Sequence, residues 1–234
     1  MKKTKLMRAA LLLLVLTLIT SCFVGGTFAK YVTEGNSTDS ARVAKWGVTV
    51  KATGKTFAYE YTTDDQNAPT DMSKSVVSGT KDMVVAPGTS GSMAAVKLSG
   101  IPEVAFNVSY TATFDVSGWK IAGTGATSEF YCPLVITVGT TEATTEVTTE
   151  GKTEEEFEKA VTDAIASYSR SFVANTDLAK QGKYSLAVSW SWPFSTTDGN
   201  NAKDTALGDL AAKAEAGNAP TVTLAVKTTV TQID

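Results

Sequence analysis

The chain of 234 residues contains no histidine. That absence removes Ser–His and Cys–His catalytic pairs, the H-E-x-x-H metalloprotease site and most zinc sites. Cysteine is almost as scarce, with only Cys22 and Cys132. If the N-terminal leader is removed, Cys132 stands alone and no intrachain disulfide can form. It lies between Tyr131 and Pro133 at the start of an apolar run, the setting of a buried, inert thiol. No apolar run reaches the ~20 residues that a stable membrane span needs. The longest stretch, Ala9 to Ile19, is already broken by Thr17. There is no G-x-S-x-G elbow, P-loop or dinucleotide fingerprint. The net charge is −3 at pH 7, and Lys2, Lys3, Lys5 and Arg8 all sit in the leader, so the rest of the chain is more acidic still. An acidic surface without a basic run argues against nucleic acid as a partner.

What the sequence does have starts with that leader. Basic residues precede the apolar run, and small residues then gather at Gly25, Gly26, Thr27 and Ala29. This is the pattern of an export signal, residues 1–29, cut between Ala29 and Lys30. An alternative stays open. Ile19-Thr20-Ser21-Cys22 fits a lipoprotein site at which Cys22 would be acylated, although Phe23 to Ala29 is more apolar than lipoprotein linkers usually are.

After the leader, residues 30–234 read as one domain of mainly β structure, an antiparallel, jelly-roll-like sandwich with one or two peripheral helices. Residues 30–40 are polar apart from Tyr31 and Val32 and read as an extended arm. Strands are predicted at 43–52, 56–62, 83–85, 92–98, 104–116, 119–122, 134–138, 184–194 and 221–233. Three of these show period-two patterning. Phe106, Val108, Tyr110, Ala112, Phe114 and Val116 share one face, as do Leu186, Val188, Trp190 and Trp192, and as do Val222, Leu224, Val226, Thr228, Val230 and Gln232. Thr153 with Glu156 makes a capping box, and Phe157, Val161, Ala164, Ile165 and Tyr168 then recur on one helical face, so a helix is predicted from there to about Ser169. A weaker helix is predicted from Asp204 to Glu215, with Asp204 as its cap and Leu207 and Leu210 facing the core. The threefold Thr-Thr-Glu repeat over 140–151 reads as an exposed hairpin tip or loop, and 63–80 as a second loop.

Other constellations are weaker. Asp198 to Asp204 spaces oxygen ligands as a calcium loop could, but Lys203 lies inside it and the twelfth-position Glu is missing, so a polar loop is expected. Asp64-Asp65 reads as a solvated turn. Trp46, Trp190 and Trp192 lie in strands built like core, so packing is favoured over a sugar-binding platform, and Trp119, beside Gly118 in a turn, is the tryptophan whose exposure is to be tested. No cofactor or metal is expected.

The junction Gly25-Gly26-Thr27-Phe28-Ala29, then Tyr31, then a polar stretch and Ala41-Arg42-Val43-Ala44-Lys45-Trp46-Gly47-Val48, resembles secreted proteins of the TasA and camelysin family of Gram-positive bacteria. Their leaders are processed by the signal peptidase SipW. The resemblance implies a jelly-roll fold, a place in a biofilm matrix or on the cell surface, and self-association into fibres by donor-strand exchange. Lys30, Tyr31, Val32 and Thr33 would be the donated strand, with other matrix proteins or cell-wall components as further partners. Relatives of the camelysin type have been labelled metallopeptidases, but no histidine ligand is present here to carry that label over. The resulting expectation is a secreted, non-enzymatic structural protein. The alternative is a monomeric adhesin or glycan-binding sandwich at the cell surface, and a secreted hydrolase ranks below both for want of the usual catalytic residues.

Overall fold

A computed structural model describes residues 7, 8, 10–17, 41–53, 57–62, 76–80, 82–123, 128–180, 184–194, 198–214 and 219–233. The chain divides into two units, Met1–Val43 and Ala44–Asp234. Residues 10–17 of the first unit form a helix, α1, whose leucines are exposed. No helix among the described residues is long and apolar enough to cross a membrane.

The second unit is an antiparallel β-sandwich with peripheral helices. Its strands are β1 (Thr49–Thr53), β2 (Glu60–Tyr61), β3 (Val76–Val77), β4 (Ser90–Ser99), β5 (Phe106–Asp115), β6 (Lys120–Ala122), β7 (Ser128–Phe130), β8 (Val135–Gly139), β9 (Thr144–Val147), β10 (Arg170–Phe172), β11 (Leu186–Ser191) and β12 (Thr223–Gln232), with helices α2 (Glu154–Ala166) and α3 (Asp198–Lys213). A five-stranded sheet runs β1-β4-β11-β8-β9 and a three-stranded sheet β10-β5-β12, with two small hairpins, β2-β3 and β6-β7. Every pairing is antiparallel.

The period-two patterning sets which faces meet. Phe106, Val108, Tyr110, Phe114 and Val116 are buried, and Leu186, Val188, Trp190 and Trp192 join them in one continuous core. Each such side chain contributes about 1.5–3 kcal/mol by leaving water. In β12 the inward row of Leu224, Val226, Thr228 and Val230 is only half-buried, while Ala225, Lys227 and Thr229 face solvent.

Helix α2 starts where its capping box requires. The Thr153 N–H donates to Glu156 Oε2 at 2.8 Å, and the Glu156 N–H donates back to Thr153 Oγ1 at 3.3 Å. Phe157, Val161, Ala164 and Ile165 are buried, with the Phe157 ring edge-on to Phe114 at 5.5 Å. Tyr168 lies past the helix end, and its hydroxyl donates to the Val138 carbonyl at 3.1 Å. The helix thus closes one side of the sandwich.

Several expectations are corrected. The predicted strand over 43–52 forms only from Thr49, and residues 41–48 are irregular. The main chain there is held by Lys45 and Glu103, the N–H of each bonding to the other, at the backbone oxygen of Lys45 and at Oε2 of Glu103. Gly100 (φ +117°) crosses Gly47 so closely that a Cβ at 100 would lie 2.0 Å from the Gly47 carbonyl oxygen. At 83–85 there is a single bridge, Val84 to Ala58, in place of a strand. The Thr-Thr-Glu repeat is partly ordered as β9, which pairs with β8 and buries Val147. Helix α3 begins at Asp198, so the segment read as a polar loop is helical and Asp204 lies within the helix, not at its cap.

Candidate functional site

The residues that sequence reasoning singles out for cleavage and strand donation, Ala29, Lys30, Tyr31, Val32 and Thr33, lie outside the described residues, as do Cys22, Asp64 and Asp65. Trp119 is 1% exposed, its indole N–H donates to the Thr221 carbonyl at 2.7 Å, and its ring lies 5.5 Å from Trp192. Trp190 and Trp192 are buried as expected, whereas Trp46, expected in the core, is 38% exposed. Its ring meets Phe106 edge-on because the chain before Thr49 never joins the sheet. No core tryptophan is free to stack on a sugar. Cys132 is fully buried, and burial pushes its thiol up to about 12.

Two features of the second unit remain as candidate sites. The first is a sheet edge. Ile233 donates to the Ala105 carbonyl and Thr221 to that of Ser117, so the odd-numbered residues of β12 form the hydrogen-bonded pairs with β5. In an antiparallel ladder the alternate residues point their N–H and C=O the other way. Leu224, Val226, Thr228, Val230 and Gln232 therefore present their main-chain groups to the outer edge. The opposite side of β5 is covered at four positions. Phe106 and Val108 face β10, the Tyr110 N–H donates to Ser169 Oγ at 2.9 Å, and the Val116 N–H donates to Glu158 Oε1 at 2.9 Å. Among the described residues no strand pairs with the outer edge of β12.

The second is a cleft of about 830 Å³ between Tyr131, the 148–153 turn, Phe194 and the start of α3. Its polar groups are held in fixed positions. The Tyr131 hydroxyl donates to Asp204 Oδ1 at 2.7 Å, and Lys203 Nζ pairs with Glu129 Oε1 at 2.7 Å while lying 5.5 Å from the Tyr131 ring centre. Burial first, and then the Asp204 carboxylate, push the Tyr131 phenol well above its ordinary value, so it remains a donor. Lys152 Nζ is turned onto the Thr148 and Glu150 carbonyls at 2.9 and 3.4 Å.

Phe194 is 67% exposed. Parity with Leu186, Val188, Trp190 and Trp192 would bury it, but β11 ends at Ser191 and Pro193 offers no N–H to continue the ladder. The ring instead rests over Gly88 in the turn 86–89. Thr89 N–H closes that turn on the Ala86 carbonyl at 3.0 Å, with Pro87 second and Gly88 third at φ +79°, the arrangement of a type II turn. A Cβ at 88 would lie 2.2 Å from the Phe194 ring. Sequence reasoning missed Glu129, Tyr131, Phe194 and Lys203 as a group, because their meeting depends on where α3 begins. Compared with protein-family models, with curated proteins and with solved structures, the chain matches none.

Proposed function

We propose that the protein is a secreted, non-enzymatic matrix or cell-surface protein whose subunits assemble by strand addition. The arm over 30–40 of one copy lies along the sheet of the next. The observation that carries this reading is the outer edge of β12, ten residues long and without a strand neighbour among the described residues. Natural sheets usually shorten, charge or cover such an edge, and β12 carries only Lys227. An incoming strand gains main-chain hydrogen bonds along that edge and register from alternate side chains. Tyr31 and Thr33 share one side of an extended chain and Val32 takes the other, so Tyr31 is the natural anchor. The contact joins different surfaces of two copies and so propagates as an open filament instead of closing.

The resemblance of the leader junction and of 41–48 to the TasA and camelysin family supports the same reading, with the basic, apolar leader directing export. The test is purified protein starting at Lys30, which should form filaments by electron microscopy. Deleting Lys30 to Gly35 should abolish them while leaving circular dichroism and melting unchanged. Normal polymerisation of the deletion variant would refute strand donation.

A further inference from the structure

We propose that the cleft beside Phe194 binds a neutral oligosaccharide, with Phe194 as the stacking surface and the carboxylates of Asp204, Glu129 and Glu150 as hydrogen-bond acceptors. A pyranose ring presents an apolar face of C–H groups and a rim of hydroxyl donors. Recognition therefore needs an exposed aromatic ring and nearby acceptors whose positions are set in advance. Both are present. The Phe194 ring is fixed from below by the Gly88 turn yet is 67% exposed, which is unusual for a phenylalanine held so closely by main chain. Asp204 and Glu129 each have one oxygen committed, to Tyr131 and Lys203, and that commitment orients the rest of each carboxylate.

The balance of charge on the lining favours acceptors. Both lysines of the cleft are already engaged, Lys203 with Glu129 and Lys152 with main-chain carbonyls. With both cations so engaged and three carboxylates on the lining, a donor-rich, uncharged molecule fits better than an anion, and the net charge of −3 works against an anion as well. The volume, about 830 Å³, lies in the range of small-ligand sites and suits a short oligosaccharide. The cleft shares no residue with β12, so this inference stands apart from assembly.

Calorimetric titration of the chain starting at Lys30, and of its arm-deleted form, with tetramers of β-linked glucose, α-linked glucose and β-linked N-acetylglucosamine tests it. At least one should bind both forms, and Phe194→Ala should weaken that binding about tenfold, the size of one lost stacking contact. Chemical-shift changes in the isotope-labelled wild-type protein should centre on Tyr131 and Phe194, a readout that needs no variant. The proposal fails if none of the three sugars binds at millimolar concentration, or if Phe194→Ala binds as wild type. It also fails if the shifts centre elsewhere, or if a lysine-rich peptide binds the cleft and the sugars do not.

Discussion

Cys132 shows how far a single side chain's chemistry is set by its place. It follows Tyr131 into the core, and burial holds its thiol protonated up to about 12. Ellman's reagent at pH 8 should therefore leave the native protein unlabelled and react only on unfolding. The same shift carries a sign for stability. The unfolded chain releases this proton at a lower pH than the native one, so above the ordinary thiol range the native state binds more protons and stability falls as pH rises. Urea midpoints should decline from about pH 9 upward, and less steeply in Cys132→Ala, once the lower starting stability of that variant is subtracted. A native thiol that reacts at pH 8 would contradict both expectations. The buried setting of Cys132 was legible from Tyr131-Cys132-Pro133 and the apolar run that follows. The tryptophans were not legible in the same way. Beside Gly118 the sequence leaves the exposure of Trp119 open, because its burial depends on Trp192 and Thr221, both far away in sequence.

At the scale of elements, local signals that agreed with each other were reliable, and signals that depended on a distant partner were not. Helix α2 was read from Thr153, Glu156 and an apolar stripe, all within sixteen residues of chain, and it starts where they place it. Removing the cap should cost about 1 kcal/mol, as Thr153→Ala, measured by urea denaturation. Replacement by Ser or Asp should cost much less, since either can accept from the Glu156 N–H. Helix α3 is the opposite case. Asp198-Gly199-Asn200-Asn201 has low helix propensity and by itself reads as loop. The turn forms because Asp204 and Lys203 are held by Tyr131 and Glu129, contacts that no window of sequence contains. The short strands β3, β7 and β10 run for only two or three residues, too few for a period-two pattern to show in the sequence. In β9 the threonines that suggested an exposed loop also suit an edge strand, and only Val147 turns inward.

The whole molecule raises the question of why β5 has partners on both sides and β12 on only one. Along β5, the main-chain groups of Phe106, Val108, Tyr110 and Val116 that face away from β12 meet β10, Ser169 and Glu158, a covering drawn from residues 169–172 and from helix α2. Along β12, the corresponding groups of Leu224, Val226, Thr228, Val230 and Gln232 meet no strand among the described residues. If this edge receives the arm of a neighbouring copy, a substitution that removes one outward N–H should stop assembly without touching the ladder to β5. Thr228→Pro does this at mid-strand. Proline lacks the N–H, Thr228 is not in a hydrogen-bonded pair with Tyr110, and edge positions tolerate proline. The lost Thr228 hydroxyl has no hydrogen-bond partner, so its removal leaves none of its neighbours unpaired. The variant should remain folded by near-ultraviolet circular dichroism and sediment as a monomer where wild type sediments as filaments. Thr229→Pro, one residue on, falls on the β5 side of the ladder and should destabilise the subunit itself. Filaments of normal length from folded Thr228→Pro protein would show that the β12 edge is not where copies meet.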